Sequence, residues 1–565
     1  MMTSSPLPSL RSLALPDVGS AVHAGAALLW LPQAALLAWA VQGMASGRGF
    51  AAVIWPAIGI LLLGALRAVC EAWGARRVFS TARARLSALR SQAAIALSAG
   101  SPMDRNRPAS GEAASVMAEQ AEALVPYLVR YQPARLRVMV VPLVILAVVT
   151  SQSWVAALVL LAAAPLIPLF MAIIGWRAEA ASEAQMVQMG GMNAFLLDRL
   201  RGLATLRALG AVDATADRLH DAAQSLRRRT LAVLRIAFLS SAVLELFSAL
   251  GVAMVAAYVG FHLLGTLNFG AWGQRLSLGQ GLFVLLLAPA FFEPLRELSS
   301  AWHDRAAGQA ALRALAQLTR CAVALPGAGT AIAPVDHVAV GALHPAPAVV
   351  VRDLHFSHPG EAPLFDGRNL RIAPGEHIAL TGASGSGKTA LLSLLAGLQP
   401  VARGEIVIGG VALTDQTAAV LRRRIGWLGQ RPHVFAGSVE ANVALGRAGI
   451  DTPRVAAAMR FAGLGDVAQA HPGTALGEGG GGLSGGEAAR LALARLAIHA
   501  RADLLLVDEP TAHLDMDTAR RVTDALLALA RGKTLIVATH DPVLAARMDR
   551  VISLDAVTEP RREAA

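Results

Sequence analysis

Gly382-Ala-Ser-Gly-Ser-Gly-Lys388-Thr389 matches the pattern GxxxxGK[ST], and its surroundings identify it as a phosphate-binding loop. The segment follows a predicted strand at 377–381 and precedes a predicted helix at 390–397, which is the context that this motif requires. Its glycines allow backbone N–H groups and a helix N-terminus to surround a phosphate chain. Lys388 is predicted to reach the β- and γ-phosphates, and Thr389 to ligate Mg²⁺. Lys388 is one of only two lysines in the chain, so a chance match is a poor explanation.

Two further predicted strands end in residues suited to nucleotide hydrolysis. Four aliphatic residues at 504–507 precede Asp508 and Glu509, and such a run is typical of a parallel strand covered on both faces. Ligands bind beyond the carboxyl ends of such strands, so Asp508 is predicted to hold Mg²⁺. Glu509 is predicted to polarise the attacking water as a general base. The strand predicted at 534–538 is followed by His540, which we expect to contact the γ-phosphate.

A second glycine-rich turn, Leu483-Ser-Gly-Gly-Glu487, opens a helix predicted at 488–499. It presents a second helix N-terminus with free N–H groups, and such groups bind anions. A single copy of one domain cannot easily direct both turns at the same phosphate. The sequence therefore predicts two copies of the domain, each completing the other's nucleotide site.

The first 300 residues carry nearly all of the chain's excess apolar character. Of the 565 residues 55% are hydrophobic and 16% are charged, and the mean hydropathy is +0.51, whereas about a quarter of the residues in a soluble globular protein are charged. Six stretches are each long enough to cross a hydrocarbon core about 30 Å thick. They lie near 24–45, 50–70, 131–150, 154–175, 236–262 and 276–294. The composition excludes an ordinary soluble enzyme and predicts a protein embedded in a lipid bilayer.

Arginine positions predict the topology of these six crossings. The connections 71–130 and 176–231 carry eight arginines each, whereas the three short connections carry Arg48, none and Arg275. Positive residues are retained on the cytoplasmic side, so the long connections and both termini are predicted to be cytoplasmic. The net charge of +11 is therefore a topological signal, and no nucleic-acid partner is predicted. We expect the long connections to be helices that extend beyond the bilayer and turn back near 101–108 and 202–210.

Together these patterns predict a multidomain membrane protein, with an all-α six-helix transmembrane domain fused to an α/β P-loop nucleotide-binding domain. The predicted divisions are a cytoplasmic leader at 1–22, the transmembrane domain at 23–320, a linker rich in Gly, Pro and Ala at 321–347, and the nucleotide-binding domain at 348–565. Cys70 and Cys321 are too few to form a disulfide framework.

The order of these motifs resembles that of an exporter-type ABC transporter half-subunit. The resemblance extends from about residue 20 to 555 and includes the Walker A loop, a Q-loop at Gln430, an LSGGQ-type signature at 483–487, Walker B, a D-loop at 512–515 and an H-loop at His540. It implies an ATP hydrolase coupled to transport, in which two nucleotide-binding domains enclose ATP head to tail.

The resemblance also implies individual roles. ATP contacts are assigned to His358, Gly382, Ala383, Ser384, Gly385, Ser386, Gly387, Lys388, Thr389, Ala390 and Gln430. Mg²⁺ ligation is assigned to Thr389, Gln430 and Asp508, and catalysis is assigned to Glu509 and His540. Contacts with ATP bound to the partner subunit are assigned to Leu483, Ser484, Gly485, Gly486 and Glu487. Two residues depart from the family pattern. His358 stands where the family usually has an adenine-stacking tyrosine, and Glu487 replaces the final glutamine of LSGGQ, which adds a charge beside the composite site.

Within this family, four membrane phrases resemble CydD-type subunits of thiol-reductant exporters. They are Ala163-Ala-Pro-Leu-Ile-Pro-Leu-Phe-Met171, Phe195-Leu-Leu-Asp-Arg-Leu-Arg-Gly202, Leu234-Arg-Ile-Ala-Phe-Leu-Ser-Ser-Ala-Val-Leu-Glu245 and Leu287-Ala-Pro-Ala-Phe-Phe-Glu-Pro-Leu-Arg296. The likeness implies a heterodimer with a CydC-like half-subunit in a bacterial inner membrane, ATP-driven export of cysteine or glutathione to the periplasm, and support of cytochrome bd assembly. Haem is an alternative cargo, and a homodimeric lipid or drug exporter is an alternative function.

Charged residues within the predicted crossings are the candidates for a substrate pathway. Glu245 and Glu293 lie inside crossings, where a carboxylate usually faces a cavity or a partner. Arg135, Arg137 and Arg296 lie near the inner ends of crossings and are suited to bind carboxylates of a tripeptide. The alternative is that these arginines are interfacial anchors or interhelical ion pairs. His262 and His303 are candidate ligands for haem iron, against the simpler interpretation of interfacial histidines.

Overall fold

The computed structural model describes residues 17–165, 167, 195–196, 198–200, 202–273, 275–320, 323–329, 345–447, 449–465, 467, 471–477, 482–499 and 501–555. These residues form two compact units. One comprises Ala94–Pro108 and the chain from Thr319 onward, and the other comprises the chain up to Ala93 together with Ala109–Leu318. Most of the predicted leader and linker lies outside the described residues.

The chain before residue 319 is helical in all of its long described segments. The helices are α1 (Val18–Leu28), α2 (Trp30–Ala45), α3 (Ala51–Ala99), α4 (Ser110–Ala118), α5 (Gln132–Gln152), α6 (Trp154–Ala163), α7 (Leu203–Ala208), α8 (Val212–Leu264), α9 (Leu278–Ser300) and α10 (Trp302–Leu318). A 3₁₀ turn (Gln120–Ala123), a helical turn (Leu124–Pro126) and a π-helical turn (Tyr127–Tyr131) join α4 to α5.

Five segments of the described chain are long and apolar enough to cross a membrane. They are Val18–Ala45, Ala52–Ala99, Ser110–Gln152, Ala242–Leu264 and Leu278–Leu318. The fourth predicted crossing begins as α6, and its continuation at 166 and 168–175 lies outside the described residues. The predicted long helical connections are confirmed for α3 and α8, which contain 49 and 53 residues. At 1.5 Å per residue, α3 is about 74 Å long, far longer than a bilayer requires.

A close approach between α8 and α9 depends on glycine. A Cβ atom on Gly251 would lie 2.5 Å from Cζ of Phe292, a side chain that is completely buried. Val255, Val284 and Leu287 are also fully buried in the same hydrophobic cluster. Helices in lipid associate through such close packing, because the lipid supplies no hydrophobic driving force for their contact.

The nucleotide unit combines α and β elements in alternation. Its strands are β1 (Val349–Phe356), β2 (Phe365–Ile372), β3 (His377–Thr381), β4 (Arg403–Ile408), β5 (Val411–Ala412), β6 (Ile425–Leu428), β7 (Gly437–Ser438), β8 (Ala475–Leu476), β9 (Leu504–Asp508), β10 (Thr534–Ala538) and β11 (Arg550–Ser553). Its helices are α11 (Lys388–Leu395), α12 (Ala418–Arg422), α13 (Val439–Ala444), α14 (Thr452–Phe461), α15 (Gly485–Ala497), α16 (Met516–Ala530) and α17 (Pro542–Ala545).

The strands form a parallel sheet, an antiparallel sheet and a short antiparallel pair of β7 with β8. The five-stranded sheet has the order β11-β3-β10-β9-β6, and all of its pairings are parallel. The four-stranded sheet has the order β2-β1-β4-β5 and is antiparallel. The central strand β9 is buried on both faces as predicted, because Leu504 and Leu506 pack into one hydrophobic cluster and Leu505 and Val507 into another.

The turn between α3 and α4 belongs to the same compact unit as the nucleotide domain. Gly100 and Ala324 form an antiparallel bridge, and the amide of Ser101 donates a hydrogen bond to the carbonyl of Val323 (2.9 Å). The Ser101 hydroxyl is buried and donates to the carbonyl of Leu398 (2.6 Å). The predicted break near residue 101 is therefore confirmed, and these bonds attach the turn to the nucleotide domain of the same chain.

Candidate nucleotide-binding site

The carboxyl ends of the parallel strands bring the predicted nucleotide residues to one edge of the sheet. The phosphate loop at 382–389 follows β3, Gln430 follows β6, Asp508 and Glu509 end β9, and His540 follows β10. The register of the strand pairs places these ends level with one another. Open parallel sheets bind their ligands at this edge, so the topology assembles residues that are widely separated in sequence.

Glycines determine the path of the phosphate loop. Gly382, Gly385 and Gly387 have φ values of +146°, +86° and +96°, which residues with side chains rarely adopt. The Lys388 ammonium group is buried and donates hydrogen bonds to the carbonyl oxygens of Gly382 (2.8 Å) and Ala383 (3.0 Å). The loop therefore curls around its own lysine, which lies at the N-terminus of α11.

The remaining loop residues differ in their environments. Ser384 is exposed, and Ala390 is buried in the first turn of α11. The hydroxyl oxygen of Ser386 is buried and has no hydrogen-bond partner among the described residues. An unpaired buried hydroxyl is costly, so Ser386 is suited to a polar ligand of the loop.

Thr389 and Asp508 meet across the edge of the sheet. The Thr389 hydroxyl donates a hydrogen bond to Oδ2 of Asp508 at 2.8 Å. Burial raises the pKa of Asp508, and the hydrogen bond from Thr389 and the charge of Lys388 only partly oppose this shift. A hydroxyl and a carboxylate oxygen are ligands that Mg²⁺ prefers, so this donor pair fits the predicted metal.

Glu509 and His540 form a second pair beside the first. Nε2 of His540 lies 3.4 Å from Oε1 of Glu509, and the His540 amide donates to Oε2 (3.3 Å). Oε1 of Glu509 is buried and has no hydrogen-bond partner in the described chain. The Glu509 backbone has a φ of +48°, and its amide is held by the carbonyl of Ala538 (2.9 Å). The turn thus holds a carboxylate with free acceptor capacity next to an imidazole.

Gln430 and His358 lie at the periphery of this arrangement. Gln430 is exposed two residues beyond β6, the strand that pairs with β9. His358 follows β1 and is half-buried, with its ring 5.1 Å from that of Phe356 in an edge-to-face contact. One face of an imidazole in such a contact remains suited to stacking against a base.

The signature turn begins α15 with a reciprocal capping box. The Glu487 amide donates to the Ser484 hydroxyl (3.3 Å), and the Ser484 amide donates to Oε2 of Glu487 (2.7 Å). Leu483 is half-buried against a hydrophobic cluster, and a Cβ on Gly486 would touch Thr518 at 3.4 Å. The charge of Glu487, noted as a departure from the family pattern, therefore lies on the helix N-terminus, where an anion is stabilised.

Known protein families match both parts of the chain. The model described as "ABC transporter" matches residues 365–512, and the model described as "ABC transporter transmembrane region" matches residues 40–287. The chain is 35% identical over 446 residues to the "Glutathione/L-cysteine transport system ATP-binding/permease protein CydD" of Escherichia coli K12, across 78% of this chain and 74% of that protein. This chain belongs to the CydD family of ABC transporters.

Two further relatives extend the comparison. The CydD protein of Haemophilus influenzae is also 35% identical over 446 residues, covering 78% of this chain and 73% of the relative. The "Glutathione/L-cysteine transport system ATP-binding/permease protein CydC" of Bacillus subtilis is 29% identical over 537 residues, covering 93% of this chain and 89% of that protein. As an ABC transporter the chain is a membrane protein that binds and hydrolyses ATP.

In this CydD-family subunit, the candidate arginines of the membrane helices differ in their contacts. Nη1 of Arg137 on α5 donates to both carboxylate oxygens of Glu297 on α9 (2.7 and 2.6 Å), and its guanidinium also contacts the ring of His23 on α1. Arg135 is exposed. The contacts of Arg137 match the interhelical ion-pair interpretation. Sequence reasoning missed His23 and Glu297, although Glu297 lies one helical turn beyond Glu293.

The candidate glutamates of the transporter share one arginine. Nη2 of Arg296 donates to Glu293 on the same helix (2.6 Å), and Nη1 donates to Glu245 on α8 (3.1 Å). The structure thus brings Glu245 and Glu293 together and pairs Arg137 with a different carboxylate.

The candidate haem ligands have unlike environments. His262 is buried near the end of α8, and its Nδ1 accepts a long hydrogen bond from the Leu276 amide (3.4 Å). His303 is exposed in the first turn of α10. Within the described ranges, no group of three or more His, Cys, Asp or Glu residues is arranged to hold a metal ion.

Proposed function

We propose that this chain is the CydD-like half of a heterodimeric exporter that uses ATP to move glutathione or L-cysteine from the cytoplasm to the periplasm, and so supports cytochrome bd assembly. The proposal rests chiefly on the 35% identity to CydD proteins over 446 residues. The similarity to a CydC protein over 93% of this chain supports a partner of the same architecture. We place the subunit in a bacterial inner membrane with its nucleotide domain and both termini in the cytoplasm, which agrees with the arginine-rich long connections.

The phosphate loop would bind ATP by replacing the carbonyl oxygens that accept hydrogen bonds from Lys388 with phosphate oxygens. In the structure, the Lys388 ammonium group is held by two carbonyl oxygens of its own loop. Phosphate oxygens carry more negative charge than carbonyl oxygens and form stronger hydrogen bonds with an ammonium group. Lys388 would therefore donate its hydrogen bonds to the phosphates, and the N–H groups at the start of α11 would donate to the remaining phosphate oxygens.

Thr389 and Asp508 would hold Mg²⁺, with Gln430 contributing from the neighbouring strand. Mg²⁺, when bound, neutralises charge that develops on the phosphates. The hydrogen bond between the Thr389 hydroxyl and the Asp508 carboxylate already holds the two oxygens 2.8 Å apart, so both residues need little reordering.

Glu509 would orient and deprotonate the attacking water. Its Oε1 is buried and free to accept a hydrogen bond, and His540 lies beside the same oxygen. The imidazole of His540 would then stabilise charge at the γ-phosphate. Leu483 to Glu487 would face the partner's nucleotide, as the head-to-tail arrangement of the family implies.

The replacement Glu509→Gln tests the hydrolytic part of this proposal. In the purified heterodimer we expect it to lower ATP turnover at this chain's site by about 100-fold or more, because a positioned general base contributes 10²- to 10⁴-fold, and to leave ATP binding intact. The control is Glu405→Gln, a glutamate on β4 that is exposed and paired with Arg352. Wild-type turnover in the Glu509→Gln complex, with the partner's own site inactivated, would rule out this role.

The cargo is tested by parallel stimulation assays. The complex in lipid nanodiscs is given L-cysteine, glutathione, glutathione disulfide or haem, and ATP hydrolysis is compared with transport of labelled thiol into everted vesicles. We expect a reduced thiol to stimulate hydrolysis and to accumulate in an ATP-dependent manner. Stimulation by haem alone would favour the haem alternative, and an active dimer of this chain by itself would favour the homodimeric lipid or drug exporter.

A further inference from the structure

A carboxylate at the end of the outermost parallel strand contacts the phosphate loop. Oδ1 of Asp555 accepts a hydrogen bond from the backbone amide of Ala383 at 2.7 Å. The contact arises because β11 pairs with β3, which places Ser553 opposite Thr381, and because the Leu554 amide donates to the Thr381 carbonyl (2.8 Å). The chain leaves β11 alongside the point where it leaves β3, and Asp555 lies beside the first peptide of the loop.

Asp555 is itself held in place. Its Oδ2 accepts a hydrogen bond from the Ser553 hydroxyl (3.1 Å), and its amide donates to the same hydroxyl oxygen (3.2 Å). The hydrogen bond from the Ala383 amide, followed by that from Ser553, lowers the pKa of Asp555 below its usual range. The side chain is therefore ionised at neutral pH, and its bond to the loop is charge-assisted.

The peptide that Asp555 contacts also accepts a hydrogen bond from the lysine of the phosphate loop. The amide of Ala383 and the carbonyl of Gly382 belong to one planar peptide group, so a partner that fixes one of them also fixes the direction of the other. That Gly382 carbonyl accepts the hydrogen bond from Nζ of Lys388 (2.8 Å). Asp555 and Lys388 thus bind opposite ends of a single peptide group.

Glycine at position 382 makes this arrangement possible. A Cβ atom there would lie 2.7 Å from Oγ of Ser386 and 3.1 Å from Oδ1 of Asp555. Asp555 is exposed to solvent, but its carboxylate packs directly against the first residue of the loop.

We propose that Asp555 is a positioning residue of the ATP site, which orients the Gly382–Ala383 peptide and so keeps the phosphate loop in its binding conformation. This rests on the ATP-binding role of the loop and is independent of the cargo. A loop whose first peptide is free to rotate must be ordered on binding, and that ordering weakens affinity. Loss of Asp555 therefore raises the KM for ATP and leaves kcat nearly unchanged, because Asp555 contacts neither Glu509 nor His540.

The experiment is a double-mutant cycle in the full heterodimer. Asp555→Ala removes the acceptor, Asp555→Asn keeps an acceptor without the charge, and Ala383→Pro removes the donor because proline has no N–H group. The variants are compared for KM and kcat of ATP hydrolysis and for labelling of this chain by 8-azido-ATP, with the two chains separated by gel electrophoresis. Asp524→Ala, at an exposed aspartate of α16 paired with Arg547, is the matched control.

We expect Asp555→Ala to raise the KM about tenfold, close to the low end for loss of one charge-assisted hydrogen bond because the site is exposed, with kcat within twofold of wild type. Ala383→Pro raises the KM at least as much, because it also alters the loop backbone. Asp555→Asn rescues most of the loss, and the double variant is no worse than Ala383→Pro alone. An unchanged KM in Asp555→Ala, or an effect of Asp555→Ala that persists in full on the Ala383→Pro background, overturns the proposal. Failure of thiols to stimulate the wild-type complex would affect only the proposed cargo.

Discussion

Two helix N-termini of the nucleotide unit, those of α11 and α15, are formed by glycine-rich turns but are completed in different ways. No side chain in the described part of the chain caps α11, which is entered through Gly387 at a φ of +96°. The N-terminus of α15 is capped twice by its own residues, Ser484 and Glu487. A helix N-terminus without a cap has N–H groups that need an external acceptor, and a capped one has fewer.

The difference indicates that the two turns contribute unequally to the nucleotides that they contact, α11 to the ATP of this chain's own site and α15 to the ATP of the partner's site. The α11 turn brings a cation, Lys388, and unused N–H groups, so it can supply most of the binding free energy. In the α15 turn, the carboxylate of Glu487 already neutralises part of the positive end of the helix dipole. We infer that α11 dominates ATP binding and that α15 provides a weaker contact whose strength depends on the charge at position 487.

Removal of the cation at the α11 turn has the largest expected effect. We expect Lys388→Ala to reduce ATP labelling of this chain about 100-fold, because charge-assisted hydrogen bonds are each worth up to about 3 kcal/mol. Lys533→Ala is the matched control, since Lys533 is the other lysine of the chain. Retained labelling in Lys388→Ala would mean that the N–H groups of α11 suffice without the lysine.

Lowering the pH tests the contribution of His499, beyond the C-terminal end of α15, to the stability of the fold. His499 lies two residues beyond this helix, and desolvation, followed by the charges of Arg447 and Lys533, lowers its pKa from 6.5 to about 4. Between these values the unfolded chain binds more protons than the folded chain, so stability is complete above about pH 6.5 and falls as the pH is lowered towards 4. Because the His499 side chain is only partly buried, solvent screening reduces the stability that corresponds to the full pKa shift to about 1–2 kcal/mol.

The measurement is thermal unfolding of the complex between pH 7.5 and 4.5. We expect the loss of stability at low pH to be smaller in His499→Gln than in wild type, and unchanged in His471→Gln, which alters an exposed histidine. Equal pH dependence in wild type and His499→Gln would show that other groups govern the acid response.

Removal of the negative charge of Glu487 in the α15 turn has the smallest expected effect on the KM for ATP. Glu487→Gln keeps the capping box, because glutamine can also accept a hydrogen bond at this position, but removes a negative charge near the partner's phosphates. We expect a decrease of about threefold in the KM of the partner's site, in line with helix-terminus charge effects of 0.3–1 kcal/mol. The background is Glu509→Gln, in which residual turnover comes from the partner's site. An increase in KM would indicate that the carboxylate assists binding.

The local sequence patterns, in particular the aliphatic runs and the loops that follow them, were sufficient to predict many elements of the nucleotide unit. The strands His377–Thr381, Leu504–Asp508 and Thr534–Ala538 occur at the predicted positions, because their aliphatic runs and following loops specify buried parallel strands. Helix α15 begins at Gly485, three residues before the predicted start, because the capping box includes the glycines in the first turn. The roles of the individual site residues remain predictions.

Contacts that depend on sheet register or helix packing could not be predicted from one sequence. Asp555 lies 172 residues from Ala383, and only the pairing of β11 with β3 brings them together. The contact between Arg137 and Glu297 likewise joins residues 160 positions apart on separate helices. Periodicity identifies which residues share a helix face, but not which neighbouring helix they meet.

The left-handed backbone at Glu509 links hydrolysis to the integrity of the whole sheet. A residue with a side chain is disfavoured in this region by about 1–2 kcal/mol, so the turn after β9 would relax if it were unsupported. The bond from its amide to Ala538 on the adjacent strand opposes that relaxation. A slight separation of β9 from β10 would let the turn unwind and withdraw the carboxylate from His540, so that loosening this strand pair would switch off the reaction without altering any reacting group.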